Sequence, residues 1–283
     1  MLNTKELRNF ILKILLLACL LPFLVFGLKQ IVRIFFLDSF IIPTESMELT
    51  LRPGDRVYVN KLLFGARIYT DFHFVKDGQV LHAFRVKGLR PIKYNDIVVF
   101  NMPNQQWTIK FTINYVFCKR CIGLPGDSVS IRNGFYKCNN YAGRLGLLRT
   151  QKALSNLPDS VISPAAMRAI PFDDHMPEWT IKNFGPLYIP RKGDLVRVTP
   201  RMAALYKILL EYELGKPVSI NWTTHKVLAG NRPVTLHRFK HDYYFMAGDN
   251  AINSLDSRYW GLVPDEYIVG VVDEKLTKHE KEA

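Results

Sequence analysis

Apolar positions crowd the first 42 residues, and beyond them hydrophobic and polar positions alternate in short runs. Phe10 to Leu28 carries a single charge, Lys13. At about 1.5 Å per helical residue, such a run just crosses a hydrocarbon core of about 30 Å. Lys13 lies near its start, where a long side chain can snorkel to the headgroups, and Pro22 is tolerated in a membrane helix. A second apolar patch follows, Ile34 to Leu37 and Phe40 to Ile42. The pattern predicts a short tail (1–9), a transmembrane anchor (10–28) and an apolar membrane-proximal linker (29–42). A cleaved leader is the rival reading, with Lys5, Arg8 and Lys13 ahead of the apolar run. No small-x-small site follows Leu28, because the chain continues Lys29-Gln30-Ile31. Leu16-Leu17-Ala18-Cys19 has the look of a lipoprotein cleavage site but sits mid-run, so a retained anchor is the reading. Basic residues flank both ends (Lys5, Arg8; Lys29, Arg33), so charge bias does not set its orientation.

After residue 42 the period is that of strands. Arg56 to Val59, Asp96 to Phe100 and Ser128 to Ile131 are short and rich in β-branched residues. Three pieces share one shape, a Gly-Asp turn feeding a strand: Arg52-Pro53-Gly54-Asp55, Leu124-Pro125-Gly126-Asp127 and Arg191-Lys192-Gly193-Asp194. Residues 136–235 read differently. Their first half is loop-rich, and Arg201 to Leu214 reads as one helix, with Met202, Leu205, Leu209 and Tyr212 at helical spacing, Pro200 opening it and Gly215 closing it. The expectation is a mainly β fold: antiparallel sheets form a compact β-rich core in two parts (43–135 and 236–275) around an inserted α+β segment (136–235). One N-terminal transmembrane helix precedes the core, and a charged tail (276–283) follows it.

Composition narrows the classes. With 283 residues and 48% hydrophobic content, the chain is too apolar to be disordered, and four cysteines are too few for a disulfide scaffold. The length suits one large domain or two small ones. A net charge of +13 permits contact with nucleic acid or an anionic membrane without choosing between them.

Two common catalytic arrangements are missing from the sequence: there is no Gly-x-Ser-x-Gly elbow and no His-Glu-x-x-His, and the seven histidines are scattered. Cys118-Lys119-Arg120-Cys121 has the spacing of a redox pair or half a zinc site, but no second pair completes it. On a strand, the two thiols would point to opposite faces about 10 Å apart, beyond disulfide reach. They read as two small hydrophobes packing around Lys119. No metal and no cofactor are expected.

Three segments remain: Ile42-Pro43-Thr44-Glu45-Ser46-Met47-Glu48-Leu49-Thr50-Leu51, Lys119-Arg120-Cys121-Ile122-Gly123-Leu124-Pro125-Gly126-Asp127, and Gly248-Asp249-Asn250-Ala251-Ile252-Asn253-Ser254-Leu255-Asp256-Ser257-Arg258-Tyr259-Trp260-Gly261. Read alone, Ser46 is a turn or cap serine and Lys119 a solvated strand lysine. Together and in this order, the segments resemble the conserved boxes of bacterial type I signal peptidases, which cut signal peptides from exported proteins. The resemblance covers the anchor and most of the β-core, and little of 136–235.

That resemblance implies a membrane-bound serine endopeptidase acting through an acyl-enzyme, with Ser46 as nucleophile and Lys119 as general base. A serine hydroxyl needs a base within hydrogen-bond reach, and a lysine can serve as one when its pKa is lowered, as burial can do. The apolar neighbours Val116, Phe117, Cys118, Cys121 and Ile122 suit that burial, and strand alternation puts Cys121 on the face of Lys119. The resemblance further implies that Thr44 and the Ser46 N–H form the oxyanion hole, Ser254 orients the lysine, and Asp256 and Arg258 make a supporting ion pair. Asp249 and Asn250 read as turn formers. One departure stands out: Leu49 occupies a position where the family commonly has proline. The implied partners are signal-peptide-bearing precursor proteins and membrane lipid, with no nucleic acid. The implied place is the bacterial cytoplasmic membrane, single-pass, with the catalytic domain on the extracytoplasmic side. The competing readings are a narrow-client conjugation-type Ser–Lys peptidase and a catalytically inactive, membrane-tethered β-module that binds signal peptides or export machinery.

Overall fold

The computed structural model describes residues 4–75, 78–105 and 108–277. Residues 1–3 of the expected N-terminal tail and 278–283 of the expected charged tail lie outside them. Helix α1 (Thr4–Phe35) begins the described chain and carries Pro22 inside it. Within Arg8–Phe35 an 18-residue window reaches a mean hydropathy of 2.6 with none of it buried in the protein, so the helix is long and apolar enough to cross a membrane. The helix outruns the expected anchor, 10–28, and takes in most of the expected linker. After Pro22 no proline occurs until Pro43, and Gly27 is absorbed, so nothing between Leu28 and Phe35 stops the helix.

The chain turns directly into strands. In order, these are β1 (Leu37–Ile41), β2 (Arg56–Asn60), the short helix α2 (Lys61–Phe64), β3 (Ile97–Asn101), β4 (Val116–Gly123), β5 (Ser128–Arg132), β6 (Phe135–Cys138), helix α3 (Leu148–Asn156) and β7 (Phe184–Tyr188). Then come helices α4 (Pro200–Leu205) and α5 (Lys207–Leu214), β8 (Tyr243–Ala247), α6 (Ser257–Trp260), β9 (Val263–Pro264) and β10 (Ile268–Val272). Seven strands pair antiparallel in the order β1-β2-β10-β3-β4-β8-β9. Strands from both ends of the chain therefore interleave, and β4 is flanked by β3 and β8. A second, three-stranded sheet runs β6-β5-β7. The architecture is mainly β and antiparallel, with an apolar N-terminal helix.

Each face of the large sheet has its own core. Ile42, Met47, Leu51, Val57, Val59, Ile97 and Val99 pack on one, beneath the segment that follows β1, and Cys118 packs against them. Val98, Phe100, Cys121, Met246 and Trp260 pack on the other. The two cysteines thus fall on opposite faces and are unpaired.

The three Gly-Asp turns adopt one geometry. Gly54, Gly126 and Gly193 have φ of 93°, 91° and 91°. In each turn, the aspartate carboxylate accepts the N–H three residues back, at 2.8, 2.8 and 2.9 Å. A fourth copy lacks the glycine: Asn95 takes φ 67°, and Asp96 accepts Lys93 N–H at 2.8 Å. Asparagine is one of the few other residues that tolerate this region.

The single helix expected over Arg201–Leu214 is two. Tyr206, at φ −116° and ψ 21°, leaves helical geometry between α4 and α5. Its ring is buried against Phe239, and its hydroxyl donates to the Tyr188 carbonyl at 2.7 Å. The buried stripe is Ala203, Tyr206, Leu209, Leu210 and Glu213, so of the expected Met202, Leu205, Leu209 and Tyr212 only Leu209 is fully buried. Gly215 closes α5 in the left-handed region, as expected.

Candidate active site

Ser46 lies in a 3₁₀ turn, Glu45–Met47, five residues beyond β1. The turn is seated from below by Met47, which is 1% exposed. It is tied to the next turn by Ile42 N–H donating to the Asp55 carbonyl and Gly54 N–H to the Ile42 carbonyl, at 2.9 and 2.8 Å. Lys119 sits mid-way along β4 opposite Val98 of β3. Its Nζ lies 2.5 Å from Ser46 Oγ and donates to the Cys118 carbonyl at 3.2 Å. It also stands over the Phe117 ring, 5.3 Å from the centroid.

Lys119 is 2% exposed, and this desolvation lowers its pKa from the ordinary lysine value. The nearby Asp256 carboxylate and Cys118 oppose the shift without reversing it. A buried amine with a lowered pKa set against a hydroxyl is the arrangement that can activate a serine. Cys118, not Cys121, is the cysteine beside this amine. Cys118 lines the cleft with Lys119, whereas Cys121 packs into the opposite core.

Thr44 Oγ1 is 3.3 Å from Ser46 Oγ, with the Thr44 backbone extended at φ −137° and ψ 161°. Two clefts meet at Ser46. One, about 430 Å³, is walled by Phe40, Ile42, Val57, Val99, Tyr115 and Phe117. The other, about 620 Å³, opens between Pro43, Pro53, Phe117, Asn253 and Leu255. Among the described residues, no group of three or more His, Cys, Asp or Glu converges as a metal site.

The segment 248–261 wraps around the back of this pair. Asp256 and Arg258 are both buried, and Arg258 Nε and Nη2 donate to the two Asp256 oxygens at 2.8 Å each. Burial alone would raise the Asp256 pKa, but Arg258 and the Gly248 N–H outweigh it, and the carboxyl stays below its usual range. Arg258 also donates to the Ala251 carbonyl at 2.8 Å, so the pair shapes the loop from inside. Ser254 is 6% exposed, and its hydroxyl does not hydrogen-bond Lys119. Of the residues singled out in the sequence, the structure thus brings together Ser46, Lys119 and Thr44. Asp256 and Arg258 lie behind them, and Ser254 is buried beside Gly248 without a hydrogen bond to the lysine.

Three residues do more than the sequence suggested. Asp249 and Asn250 are not mere turn formers. Asp249, 1% exposed, accepts Arg120 Nε at 2.7 Å and Nη2 at 2.6 Å, and Thr50 Oγ1 at 2.6 Å. Asn250 N–H donates to the Ser46 carbonyl at 3.1 Å, and its side chain donates to the Glu45 carbonyl at 3.2 Å. Together they fasten the Ser46 turn to β4 and to the wrapping loop. Gly248 lies so close that a Cβ there would collide with Ser254 Oγ and the Ser46 carbonyl oxygen. The only sequence signal for any of this was membership of the long third segment.

The Leu49 backbone is left-handed, φ 75°, a region closed to proline, so the chain after Ser46 takes a path that the family's proline would not allow.

The chain is similar to known proteins over nearly its whole length. The family model for signal peptidase, peptidase S26, matches residues 9–276. A signal peptidase I of Buchnera aphidicola from Acyrthosiphon pisum is 30% identical over 244 residues, 85% of this chain and 68% of that protein. One from Pseudomonas aeruginosa is 28% identical over 250 residues, 85% of this chain and 64% of that protein. A solved signal peptidase I from Enterococcus faecalis superposes with a TM-score of 0.31 at 19% identity, covering 65% of this chain and 97% of that one.

Proposed function

The chain belongs to the signal peptidase family, peptidase S26, and on that premise we propose that it is a membrane-bound serine endopeptidase that removes N-terminal signal peptides from exported precursors, with Ser46 as nucleophile and Lys119 as general base. The observation that carries this reading is the buried Lys119 amine 2.5 Å from Ser46 Oγ, in a sheet that keeps water from it.

In the proposed reaction, neutral Lys119 takes the Ser46 proton as Oγ attacks the carbonyl carbon of the scissile bond. The carbonyl oxygen becomes an oxyanion held by Thr44 Oγ1–H and the Ser46 N–H. One such donor contributes about 2.7–4 kcal/mol of barrier reduction. Collapse breaks the C–N bond, and Lys119 returns the proton to the leaving amine. The signal peptide stays as an ester on Ser46. Water, deprotonated by Lys119, then releases it as a carboxylic acid and restores both side chains. The Asp256–Arg258 pair keeps the wrapping loop in place, and Ser254 orients the lysine. The apolar cleft walled by Phe40, Ile42, Val57 and Val99 suits small apolar residues before the cut.

Helix α1 serves as the membrane anchor, and its length and composition fit that role. A signal peptide presents its cleavage site at the surface of the bacterial cytoplasmic membrane, and a catalytic domain held on the outer side meets it there. Residues 43–135 and 236–275 make the catalytic core, with 136–235 inserted.

The test is incubation of the detergent-solubilised protein with a panel of exported precursors, the cut being mapped by mass spectrometry. Cleavage after a small residue at the end of each signal peptide, lost in Ser46→Ala, is the expected result. Intact precursors throughout would contradict the reading.

A further inference from the structure

The anchor helix and the nucleophile are joined by unusually stiff chain. Between Leu28 and Ser46 there is no glycine and one proline, Pro43. Helix α1 ends at Phe35 and β1 begins at Leu37, already in register with β2 from Leu37 opposite Asn60 to Ile41 opposite Arg56. Ser46 follows five residues after β1, so any tilt of α1 against the sheet is passed almost undiluted to the cleft.

The corner itself is bonded from several directions. Lys61 Nζ donates to the Arg33 carbonyl at 2.8 Å and to Asp38 Oδ2 at 3.0 Å. Lys61 N–H donates to the Phe36 carbonyl at 2.8 Å. Arg33 Nε donates to Asp38 Oδ1 at 3.1 Å, and the same oxygen accepts Ser39 N–H at 3.0 Å. One ammonium thus meets an end carbonyl of α1, where the helix dipole is negative, and also the first acidic residue of β1. The Lys61 and Asp38 side chains are only 13% and 12% exposed, which shields the pair from the screening that weakens surface ion pairs. None of these groups is bonded to Ser46 or Lys119.

We propose that Lys61 and Asp38 are positioning residues: with Arg33 they clamp the anchor helix to the edge strand, hold Ser46 at a fixed height and angle over the bilayer, and so determine which bond of a membrane-embedded precursor is cut. This rests on the reading of α1 as a membrane anchor and of the cleft as a signal-peptide site. The clamp works as a ruler. The precursor's apolar segment is fixed by the lipid, the cleft by the corner, and the cut falls where the two frames coincide. A misplacement of about 1 Å at a reacting centre lowers rates by on the order of 10²-fold, so even slight loosening is visible.

The full chain reconstituted in lipid vesicles provides the test. Two substrates are compared, a precursor embedded in the same vesicles and a short soluble peptide spanning its cleavage site. Lys61→Met and Asp38→Asn are expected to slow the embedded precursor by on the order of tenfold and to cut it at neighbouring bonds as well. The same variants should cut the soluble peptide at the unmodified rate and at the original bond. Lys61→Arg, which keeps the cation, should restore the single cut. Unchanged rate and cleavage bond on the embedded precursor in both variants would overturn the clamp. Parallel loss on both substrates in both variants would also overturn it, since the corner would then support the fold alone. Failure of the unmodified protein to cut either substrate would overturn the peptidase reading and the clamp with it.

Discussion

The backbone of Gly248 lies against the carbonyl of Ser46, with no room between them for a side chain. The contact sets the depth of the nucleophile's turn together with Asn250 N–H, which donates to the same carbonyl at 3.1 Å. Gly248→Ala should push the turn outward and lengthen the Ser46–Lys119 distance. Overpacking of this kind costs about 1–3 kcal/mol of stability. The loss of kcat should be larger than that of stability, on the order of 10²-fold, since alignment suffers first. Thermal unfolding and steady-state kinetics on a peptide substrate check this, and an alanine variant with unmodified kcat would show that the turn is set elsewhere.

Asp249 and Arg120 form the second fastening. Arg120→Met would leave the Asp249 carboxylate buried without its main partner, and losing one member of a buried pair costs about 3–5 kcal/mol. Replacing both, Arg120→Met with Asp249→Leu, should cost less than the sum of the two single changes, because the uncompensated charge is gone. Denaturant unfolding of the three variants measures the coupling. Additive losses would mean that the two residues act separately.

Activity should fall on acidification. Burial depresses the Lys119 pKa, so protonation on the acid side of that value removes the base. The same shift links to stability: between the lowered folded pKa and the ordinary lysine value, the unfolded state binds more protons, so stability rises with pH through that window. Lys119→Met should therefore gain stability on the acid side while losing activity, and Lys119→Arg should be as inactive as Lys119→Ala because arginine stays protonated. Cys118→Asp puts a negative charge beside the amine, favours its charged form, and should move the acidic limb of kcat/KM to higher pH. Cys121→Asp, in the opposite core, should act on stability. Rate–pH profiles and melting curves separate the two positions.

Leu49 at φ 75° is a local strain of roughly 1–2 kcal/mol for a residue with a Cβ. Leu49→Gly should relieve part of it and raise the melting temperature. Leu49→Pro, although it restores the family's usual residue, should destabilise the protein, because the ring fixes φ near −65°. Melting curves of both variants decide. A stabilising proline would mean that the turn adopts the family's path.

Local chemistry was the legible part of the sequence. The Gly-Asp turns could be read because glycine and aspartate each do one job within four residues, and the copy at Asn95-Asp96 was missed because asparagine does the work of glycine there. The helix over 201–214 was seen but not its break, since Tyr206 leaves the helix only to reach Phe239 and the Tyr188 carbonyl, both set by tertiary packing. Ser46 and Lys119, 73 residues apart, could be paired only through the resemblance of whole segments, as nothing in the period of β4 marks its lysine as buried. Alternation pointed to Cys121 as the lysine's neighbour, but a lysine side chain is long enough for its amine to reach the Cys118 carbonyl instead. The parts played by Gly248 and Asp249 depend on which turn the loop lies against, and no local pattern carries that.

The most direct measurement is of the covalent intermediate. Enzyme in excess is mixed with a precursor peptide, quenched in acid within a single turnover, and analysed by intact mass and peptide mapping. The expected result is an adduct of the signal-peptide half, carried as an ester on Ser46. It should be absent in Ser46→Ala and in Lys119→Ala. An adduct on another residue, or continued cleavage by the Ser46→Ala protein, would contradict the account.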